Sequence, residues 1–291
     1  MLAPMSRVLT VLGAQVRPVG FDPEATFAKF EREVRLARTA FKDSDLLLFP
    51  ELYLTGDDPF TAGEHAGFME RVAEPVPGPL TDRIAKVAAR ARRWICAGSI
   101  FERGSRGRIY NTALVFDPRG TLVATYRKLF PWHPHETTTP GDRPPPVFDV
   151  PRVGRLGLMI CYDGWFPEVA RGLALQGAEL ILHPTLTTTP DRDQELVMAR
   201  ANAIANQCYV LNVNAVPSVG GGRSIGVDPE GRVLFELGQN EELVVETVDL
   251  DRVAYVREHG TRGVSRVLRH MQDAPKAVFE PYRGLLGRRR T

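Results

Sequence analysis

Short apolar segments with strand character alternate with amphipathic segments of helical spacing along most of this chain, and this alternation restricts the possible fold. The first helix carries clear start signals, because Asp22 can cap its N-terminus and Pro23 can occupy its first position. Residues 117–120 (Asp-Pro-Arg-Gly) form a turn that predicts a hairpin. Helices interleaved with strands and hairpins predict an α/β fold in which two sheets pack face to face, each covered by helices.

No linker-like or low-complexity stretch divides the predicted elements. The predicted strands are 8–12, 94–101, 111–116, 179–183, 209–213 and 243–248, with two further strands on either side of a turn at 228–231. The predicted helices after the first are 81–93, 167–176 and 192–206. We therefore expect one domain over residues 1–253, followed by an extended tail over residues 254–291 that packs on the domain or on a neighbouring subunit.

Three apolar, strand-like runs end on chemically reactive side chains. Residues 46–50 lead to Glu51, residues 121–127 lead to Lys128, and an apolar run leads to Cys161. Ligands of open α/β sheets bind outside the carboxyl ends of the strands, so we expect these three groups to converge. Taken one at a time, each has a more ordinary reading, as a surface or capping glutamate, a surface lysine and a buried cysteine.

These three groups form a chemically sensible set. A glutamate in apolar company is partly desolvated, which raises its pKa towards the range of a general base. A thiol near the N-terminus of a helix is expected to favour the thiolate, the nucleophilic form. Glu51 could then take the proton of Cys161, the thiolate could attack a carbonyl-type carbon, and Lys128 could hold the resulting oxyanion.

Residues 49–51 (Phe-Pro-Glu), 126–128 (Tyr-Arg-Lys) and 160–163 (Ile-Cys-Tyr-Asp) resemble the Glu, Lys and Cys motifs of the nitrilase, or carbon–nitrogen hydrolase, superfamily. The resemblance covers about residues 8–253. It implies a four-layer α-β-β-α sandwich and a cysteine nucleophile that works without a metal or an organic cofactor. It also implies that Glu136 is the family's second glutamate.

The resemblance is strongest to the amidase branch, since Pro-Trp is followed by Pro-x-Glu at residues 131–136, whereas nitrilases proper tend to carry Cys-Trp-Glu at the cysteine motif. It implies hydrolysis of a small-molecule carboxamide through a thioester, with release of ammonia and a carboxylic acid. N-carbamoyl-amine hydrolysis is the alternative, followed by nitrile hydrolysis. In the implied mechanism the backbone N–H of Tyr162 assists Lys128 in holding the oxyanion, and Glu136 orients both the substrate nitrogen and Lys128.

Substrate contacts are expected from aromatic side chains beside the motifs and from the loop 184–190. The aromatic candidates are Tyr53, Trp132, Tyr162 and Trp165, each of which could instead belong to the core or the rim. In the resembled family the corresponding loop borders the acyl site, and Thr185 is the contact expected there. This loop lacks the Cys-Gln-Gly-Tyr-like run of short-chain aliphatic amidases, so formamide and acetamide are not favoured.

A zinc hydrolase and a non-catalytic protein are the rival interpretations. His133, His135 and Glu136 form a His-x-His-Glu pattern that can bind zinc, with His183 as a further candidate, but a well-placed third ligand and an activating base are not evident. We therefore expect no metal site. Retention of Glu51, Lys128, Glu136 and Cys161 argues against a protein that has kept the fold and lost the chemistry.

Composition adds the remaining expectations. The formal net charge of +2 gives no electrostatic reason to expect nucleic acid, and Arg288–Arg290 more often marks a solvated tail or a subunit contact. No apolar run reaches the ~18 residues needed to span a bilayer. Three cysteines and no secretory layout suggest the reducing cytoplasm, with Cys96 and Cys208 as packing residues. The resembled family leads us to expect a homodimer or a higher homo-oligomer.

Overall fold

The computed structural model describes residues 6–58, 67–217, 221–274, 276–280 and 282. Its strands are β1 Val8–Gln15, β2 Leu46–Leu48, β3 Trp94–Arg103, β4 Ile109–Phe116, β5 Leu122–Arg127, β6 Val147–Val150, β7 Gly154–Leu158, β8 Leu180–Thr185, β9 Tyr209–Asn214, β10 Ile225–Val227, β11 Val233–Glu236 and β12 Glu242–Asp249. Its α-helices are α1 Pro23–Ala40, α2 Phe68–Val72, α3 Pro79–Ala91, α4 Pro167–Leu175, α5 Arg192–Asn206, α6 Leu250–His259 and α7 Val267–Gln272. None of the helices in these described ranges is long and apolar enough to cross a membrane.

The strands form two six-stranded mixed sheets. The first sheet has the order β12-β1-β2-β3-β4-β5, and the second has the order β11-β10-β9-β8-β7-β6. Each sheet has three neighbouring parallel strands, β1-β2-β3 in the first and β7-β8-β9 in the second, flanked by antiparallel strands. The crossovers between the parallel strands include α1 and α3 in the first sheet and α4 and α5 in the second.

The core confirms the predicted α-β-β-α layering. Strand side chains alternate between the two faces of a sheet, and β2 illustrates the consequence. Leu46 and Leu48 pack between the two sheets, whereas Leu47 packs with Phe30 of α1 and Ile84 of α3 on the outer face of the first sheet. A third cluster joins the outer face of the second sheet to α4 and α5. The helices therefore cover both outer faces, as the alternating sequence predicts.

Several local predictions are confirmed. The Asp22 carboxylate accepts from the N–H of Ala25 at 2.9 Å at the start of α1, with Pro23 in the first turn. The turn at 117–120 joins β4 to β5, since the Gly120 N–H donates to the Asp117 carbonyl at 2.9 Å. Strand β6 was not predicted, because its four residues include the charged Asp149.

The predicted extended tail after residue 253 is wrong for the residues that follow directly. Helix α6 runs through this position to His259, and Leu250, Val253 and Val256 are buried along one face of it. Three apolar residues at intervals of three are a helical signal that the surrounding charges obscure. The division of the chain at residue 253 remains a prediction, and the cluster Arg288–Arg290 lies outside the described residues.

Candidate active site

The three predicted strand ends do converge. Glu51 follows β2 and Lys128 follows β5, both in the first sheet, whereas Cys161 follows β7 in the second sheet. All three side chains line one cavity of about 640 Å³. The cavity therefore lies where strand ends from both sheets meet, and it brings together side chains that are far apart in the sequence.

Lys128 forms two short ion pairs at the cavity. Its Nζ lies 2.9 Å from Oε1 of Glu51 and 2.6 Å from Oε2 of Glu136. The side chains of Lys128 and Glu51 are 2% and 3% exposed, and that of Glu136 is 15% exposed. One buried ammonium therefore bridges two carboxylates, an arrangement in which each charge depends on the others.

Asn111 is a residue of the candidate site that the sequence analysis missed. It is fully buried, and its Nδ2 donates to Glu51 Oε1 at 2.7 Å and to Glu136 Oε1 at 3.0 Å. The Thr138 hydroxyl adds a 2.7 Å hydrogen bond to Glu136 Oε1. Both carboxylates are thus held by neutral donors as well as by Lys128. The sequence does carry a signal for Asn111, because it is a polar residue near the start of β4, a strand that is otherwise mostly apolar.

The electrostatics follow from burial and from these ion pairs. Burial raises the pKa of Glu51, and the ammonium of Lys128 opposes this rise. Burial alone would lower the pKa of Lys128, but Glu136 and Glu51 outweigh it and hold that pKa well above its ordinary value. Burial also acts to raise the pKa of Glu136, and Lys128 more than compensates, so that pKa is lowered. The predicted upward shift for Glu51 is confirmed, and Lys128 stays charged.

Cys161 begins a short 3₁₀ turn over Cys161–Trp165, and its backbone is in the left-handed region with φ of 43°. Burial and then the negative charge of Glu51 raise the pKa of its thiol well above the ordinary value. The expectation that a helix N-terminus favours the thiolate is therefore wrong for the free enzyme. Helix α4 begins only at Pro167, and burial dominates at the sulfur. The Sγ atom lies 3.6 Å from the Thr187 hydroxyl.

Hydrogen bonds to Asp163 join β5 and the segment after it to the turn that carries the thiol. The Tyr126 hydroxyl donates to Oδ2 of Asp163 at 2.8 Å, and the N–H of Phe130 donates to Oδ1 of Asp163 at 3.0 Å. The Ile160 N–H also donates to Oδ2 of Asp163, at 3.1 Å. Asp163 thereby fixes the spacing between the lysine and cysteine segments.

Aromatic side chains contribute to the cavity wall. Of the predicted substrate contacts, Trp132, Tyr162 and Trp165 line the cavity. The indole of Trp132 stacks on His135 with ring centroids 4.4 Å apart. Other lining residues include Leu52, Asp57, Met69, Glu70, Phe101, Leu186, Thr187, Thr188 and Asp191.

Two predicted contacts do not line the cavity. Tyr53 is buried in the helix layer, where its ring stacks on Phe49 and its hydroxyl donates to Glu33 at 2.8 Å. Thr185 is still part of β8, which extends two residues beyond its predicted end, and its hydroxyl donates to Asn214 Oδ1 at 2.9 Å. The same asparagine holds the backbone of Thr187, so Thr187 takes the cavity position expected of Thr185.

Glu136 and His183, two of the four residues of the zinc alternative, are engaged by other protein groups. Both oxygens of Glu136 accept hydrogen bonds, His135 stacks on Trp132, and both ring nitrogens of His183 are within hydrogen-bonding distance of protein atoms. Within the described ranges, no three His, Cys, Asp or Glu side chains are grouped so as to hold a metal ion. As predicted, Cys96 and Cys208 are fully buried among apolar side chains.

Comparison with known proteins agrees with this geometry. The family model described as carbon-nitrogen hydrolase matches residues 11–258. A formamidase from Pseudomonas syringae pv. tomato is 33% identical over 270 residues, which cover 87% of this chain and 78% of that protein.

Solved structures of similar proteins share the fold. A Saccharomyces cerevisiae member of branch 10 of the nitrilase superfamily has a TM-score of 0.77 and 25% identity, covering 86% of this chain and 93% of that one. A mutant of the amidase from Nesterenkonia sp., with the acetamide moiety of fluoroacetamide added covalently at its active site cysteine, has a TM-score of 0.72 and 25% identity, covering 88% and 95%. This chain therefore belongs to the carbon-nitrogen hydrolase family, within the nitrilase superfamily.

Proposed function

We propose that this protein hydrolyses the C–N bond of a small carboxamide through a thioester on Cys161, releasing ammonia and a carboxylic acid. The observation that carries the proposal is the buried Lys128 bridging two carboxylates in the cavity that Cys161 lines. The similar formamidase and the similar amidase with an acetamide moiety on its cysteine support amide chemistry.

In the first step Glu51 takes the thiol proton while Sγ attacks the amide carbon. The resting thiol is neutral because its pKa is raised, so the proton must leave as the C–S bond forms. A carboxylate whose own pKa is raised by burial is a suitable acceptor. The developing oxyanion receives hydrogen bonds from Lys128, which stays charged, and from the backbone N–H of Tyr162.

In the second step Glu51 returns its proton to the departing nitrogen, the C–N bond breaks, and ammonia leaves the thioester behind. Water then attacks the thioester carbon while Glu51 accepts a water proton, and the acid is released with the thiol restored. Glu136 keeps Lys128 in place through their 2.6 Å ion pair and orients the substrate nitrogen. The three charged groups act as one coupled unit.

The substrate lies among the aromatic side chains of Trp132, Tyr162 and Trp165, with Thr187 beside the sulfur. An N-carbamoyl amine presents a similar carbon to the same nucleophile and is the alternative substrate class, ahead of nitriles. The similar formamidase makes formamide a necessary member of any substrate panel, although the sequence of the loop at 184–190 did not favour it.

We further propose that the protein is a cytoplasmic homodimer or higher homo-oligomer. Large apolar side chains are exposed on α4 and α5, among them Leu175 and Val197, each 65% exposed. A nucleophilic thiol needs the reducing conditions of the cytoplasm. Sedimentation equilibrium of the wild type and of Leu175→Glu tests the assembly. A monomeric wild type would overturn it, and dissociation by the charged variant would support it.

Ammonia release across carboxamides, N-carbamoyl amines and nitriles tests the proposed reaction, with Cys161→Ala as the control. Release from carboxamides alone, absent in the variant, is the expected result. Carbon dioxide released together with ammonia would indicate carbamoyl substrates. Release that persists in folded Cys161→Ala would overturn the assignment.

A further inference from the structure

A second buried polar network contacts the nucleophile through its backbone. It consists of His183 in β8, Asn212 in β9, and Arg192 and Glu195 in α5, which are between 0% and 5% exposed. The His183 Nε2 atom lies 2.9 Å from the carbonyl oxygen of Cys161. The proposed mechanism assigns no role to this network, although polar groups are rarely buried without a partner or a function.

The donor and acceptor of each hydrogen bond in the network follow from Arg192, the charged donor at one end of it. Arg192 can only donate, so the Asn212 atom at 2.7 Å from its Nη2 is the acceptor Oδ1. The Nδ2 of Asn212 therefore faces His183 and donates to Nδ1 at 3.0 Å. A neutral imidazole that accepts at Nδ1 carries its proton on Nε2, so His183 donates to the Cys161 carbonyl.

Burial keeps the imidazole in this neutral form and in this position. It lowers the pKa of His183 to about 4. Gly164 lies against the ring, and a Cβ atom there would be 2.5 Å from Cε1 of His183. Asn202 holds the Gly164 carbonyl at 2.8 Å. The ring is thus fixed by packing and by hydrogen bonds on both of its nitrogens.

The carbonyl that His183 holds belongs to the peptide unit whose N–H is that of Tyr162. Across a planar trans peptide the C=O and N–H bonds point in opposite directions, so an interaction that fixes one also fixes the other. Cys161 has φ of 43°, a left-handed conformation that is unfavourable for an L-residue and persists only when its surroundings impose it. The His183 hydrogen bond is one such constraint.

We propose that His183 is a positioning residue that holds the Cys161 carbonyl and thereby aims the Tyr162 N–H at the substrate oxyanion. Asn212 sets the His183 tautomer, and the ion pair between Arg192 and Glu195, at 2.7 Å, anchors Asn212. This inference rests on the proposed amide hydrolysis, because the oxyanion arises only in that reaction.

The test compares turnover with thiol alkylation in His183→Phe, His183→Gln and wild-type enzyme. His183→Phe keeps a ring without a donor, and we expect kcat to fall at least ~10-fold with KM within ~2-fold, towards the ~10²–10³ loss for a deleted oxyanion donor. His183→Gln can still donate from a similar position and should retain at least about a third of kcat. Alkylation of Cys161 by iodoacetamide needs no oxyanion donor, so its rate should stay within ~3-fold of wild type in both variants.

Gln207→Leu is the matched control, because Gln207 is fully buried and hydrogen-bonded to Val256 and Ser265 away from the cavity. It should lose thermal stability and keep kcat. If His183→Phe does not fold, Asn212→Leu takes its place, with a smaller expected loss of kcat at unchanged KM. Wild-type kcat in His183→Phe or Asn212→Leu, a loss in His183→Gln as large as that in His183→Phe, or an equal loss of alkylation and turnover would overturn the proposal. An inactive wild type would instead reject the proposed function.

Discussion

The Nζ of Lys128 lies 2.9 Å from Oε1 of Glu51, and both side chains are almost completely buried. The two residues follow different strands, β5 and β2, of the first sheet. Removing two charges from water is costly unless each charge has further partners. Here Glu136 forms a second ion pair with Lys128, and Asn111 donates a hydrogen bond to Glu51. Burial raises the pKa of Glu51 although Lys128 opposes the rise, and the two carboxylates keep Lys128 protonated. General-base attack by a neutral thiol requires this combination of a basic carboxylate and a charged lysine.

Lys128→Met is expected to reduce both activity and stability. Loss of an oxyanion donor should lower kcat by at least ~10²-fold. Loss of the buried cation leaves two uncompensated carboxylates and should lower the free energy of unfolding by about 3–5 kcal/mol. Steady-state kinetics and urea unfolding measure the two effects. Lys86→Met, at an exposed lysine of α3, is the control, and equal effects in both variants would contradict the account.

The value of kcat/KM is expected to fall as the pH falls through the raised pKa of Glu51, because a protonated Glu51 cannot accept the thiol proton. The midpoint of this acid limb should lie above the ordinary glutamate value of about 4.3. Glu33 is an informative control, since burial raises its pKa to about 7 but it is hydrogen-bonded to Tyr53 in the helix layer. Glu33→Gln should leave the profile unchanged, and a shift of the acid limb in that variant would reassign the base.

Two variants of Asn111 distinguish the loss of a hydrogen-bond donor from the addition of a negative charge at the same position. Asn111→Leu removes the donor shared by Glu51 and Glu136 and should lower kcat about 10-fold, the order expected for a lost hydrogen bond to a charged group. Asn111→Asp adds a third carboxylate in place of that donor and should be more damaging. Kinetics and thermal unfolding of both variants provide the measurement. An aspartate variant as active as the leucine variant would be incompatible with this electrostatic account.

Trp165 and Tyr53 provide a paired test of the cavity. Trp165 lines it, so Trp165→Leu should raise KM severalfold by removing apolar contact area. Tyr53→Phe should leave kcat and KM within ~2-fold of wild type and cost about 1 kcal/mol of stability through its lost hydrogen bond to Glu33. A KM effect from Tyr53→Phe larger than that from Trp165→Leu would return Tyr53 to the substrate site.

The sequence predicts the layered fold and the convergence of Glu51, Lys128 and Cys161 because both depend on local patterns, namely apolar strands and the residues that end them. Asn111 escapes such reasoning, since its role depends on non-local pairing. Its carbonyl accepts from the Lys128 N–H at 2.8 Å as β4 pairs with β5, and its side chain then reaches both carboxylates.

The two substrate contacts that were predicted wrongly, Thr185 and Tyr53, have local causes. The predicted strand ends at residue 183 and leaves Thr185 in the loop. In the structure β8 continues to Thr185 beside β9, and the cavity contact moves to Thr187. Tyr53 lies in a short 3₁₀ turn that directs its ring into the helix layer. Sequence patterns place the ends of elements only to within one or two residues, and a displacement of one residue along a strand already moves a side chain to the other face of its sheet.

The central claim is a thioester on Cys161, and mass spectrometry of the acid-quenched enzyme during turnover of an active carboxamide tests it most directly. The account predicts that the peptide containing Cys161 gains the mass of the acyl group, that Cys96 and Cys208 stay unmodified, and that hydroxylamine removes the added mass. Continued ammonia release by folded Cys161→Ala, or acylation of another residue in its place, would contradict the account.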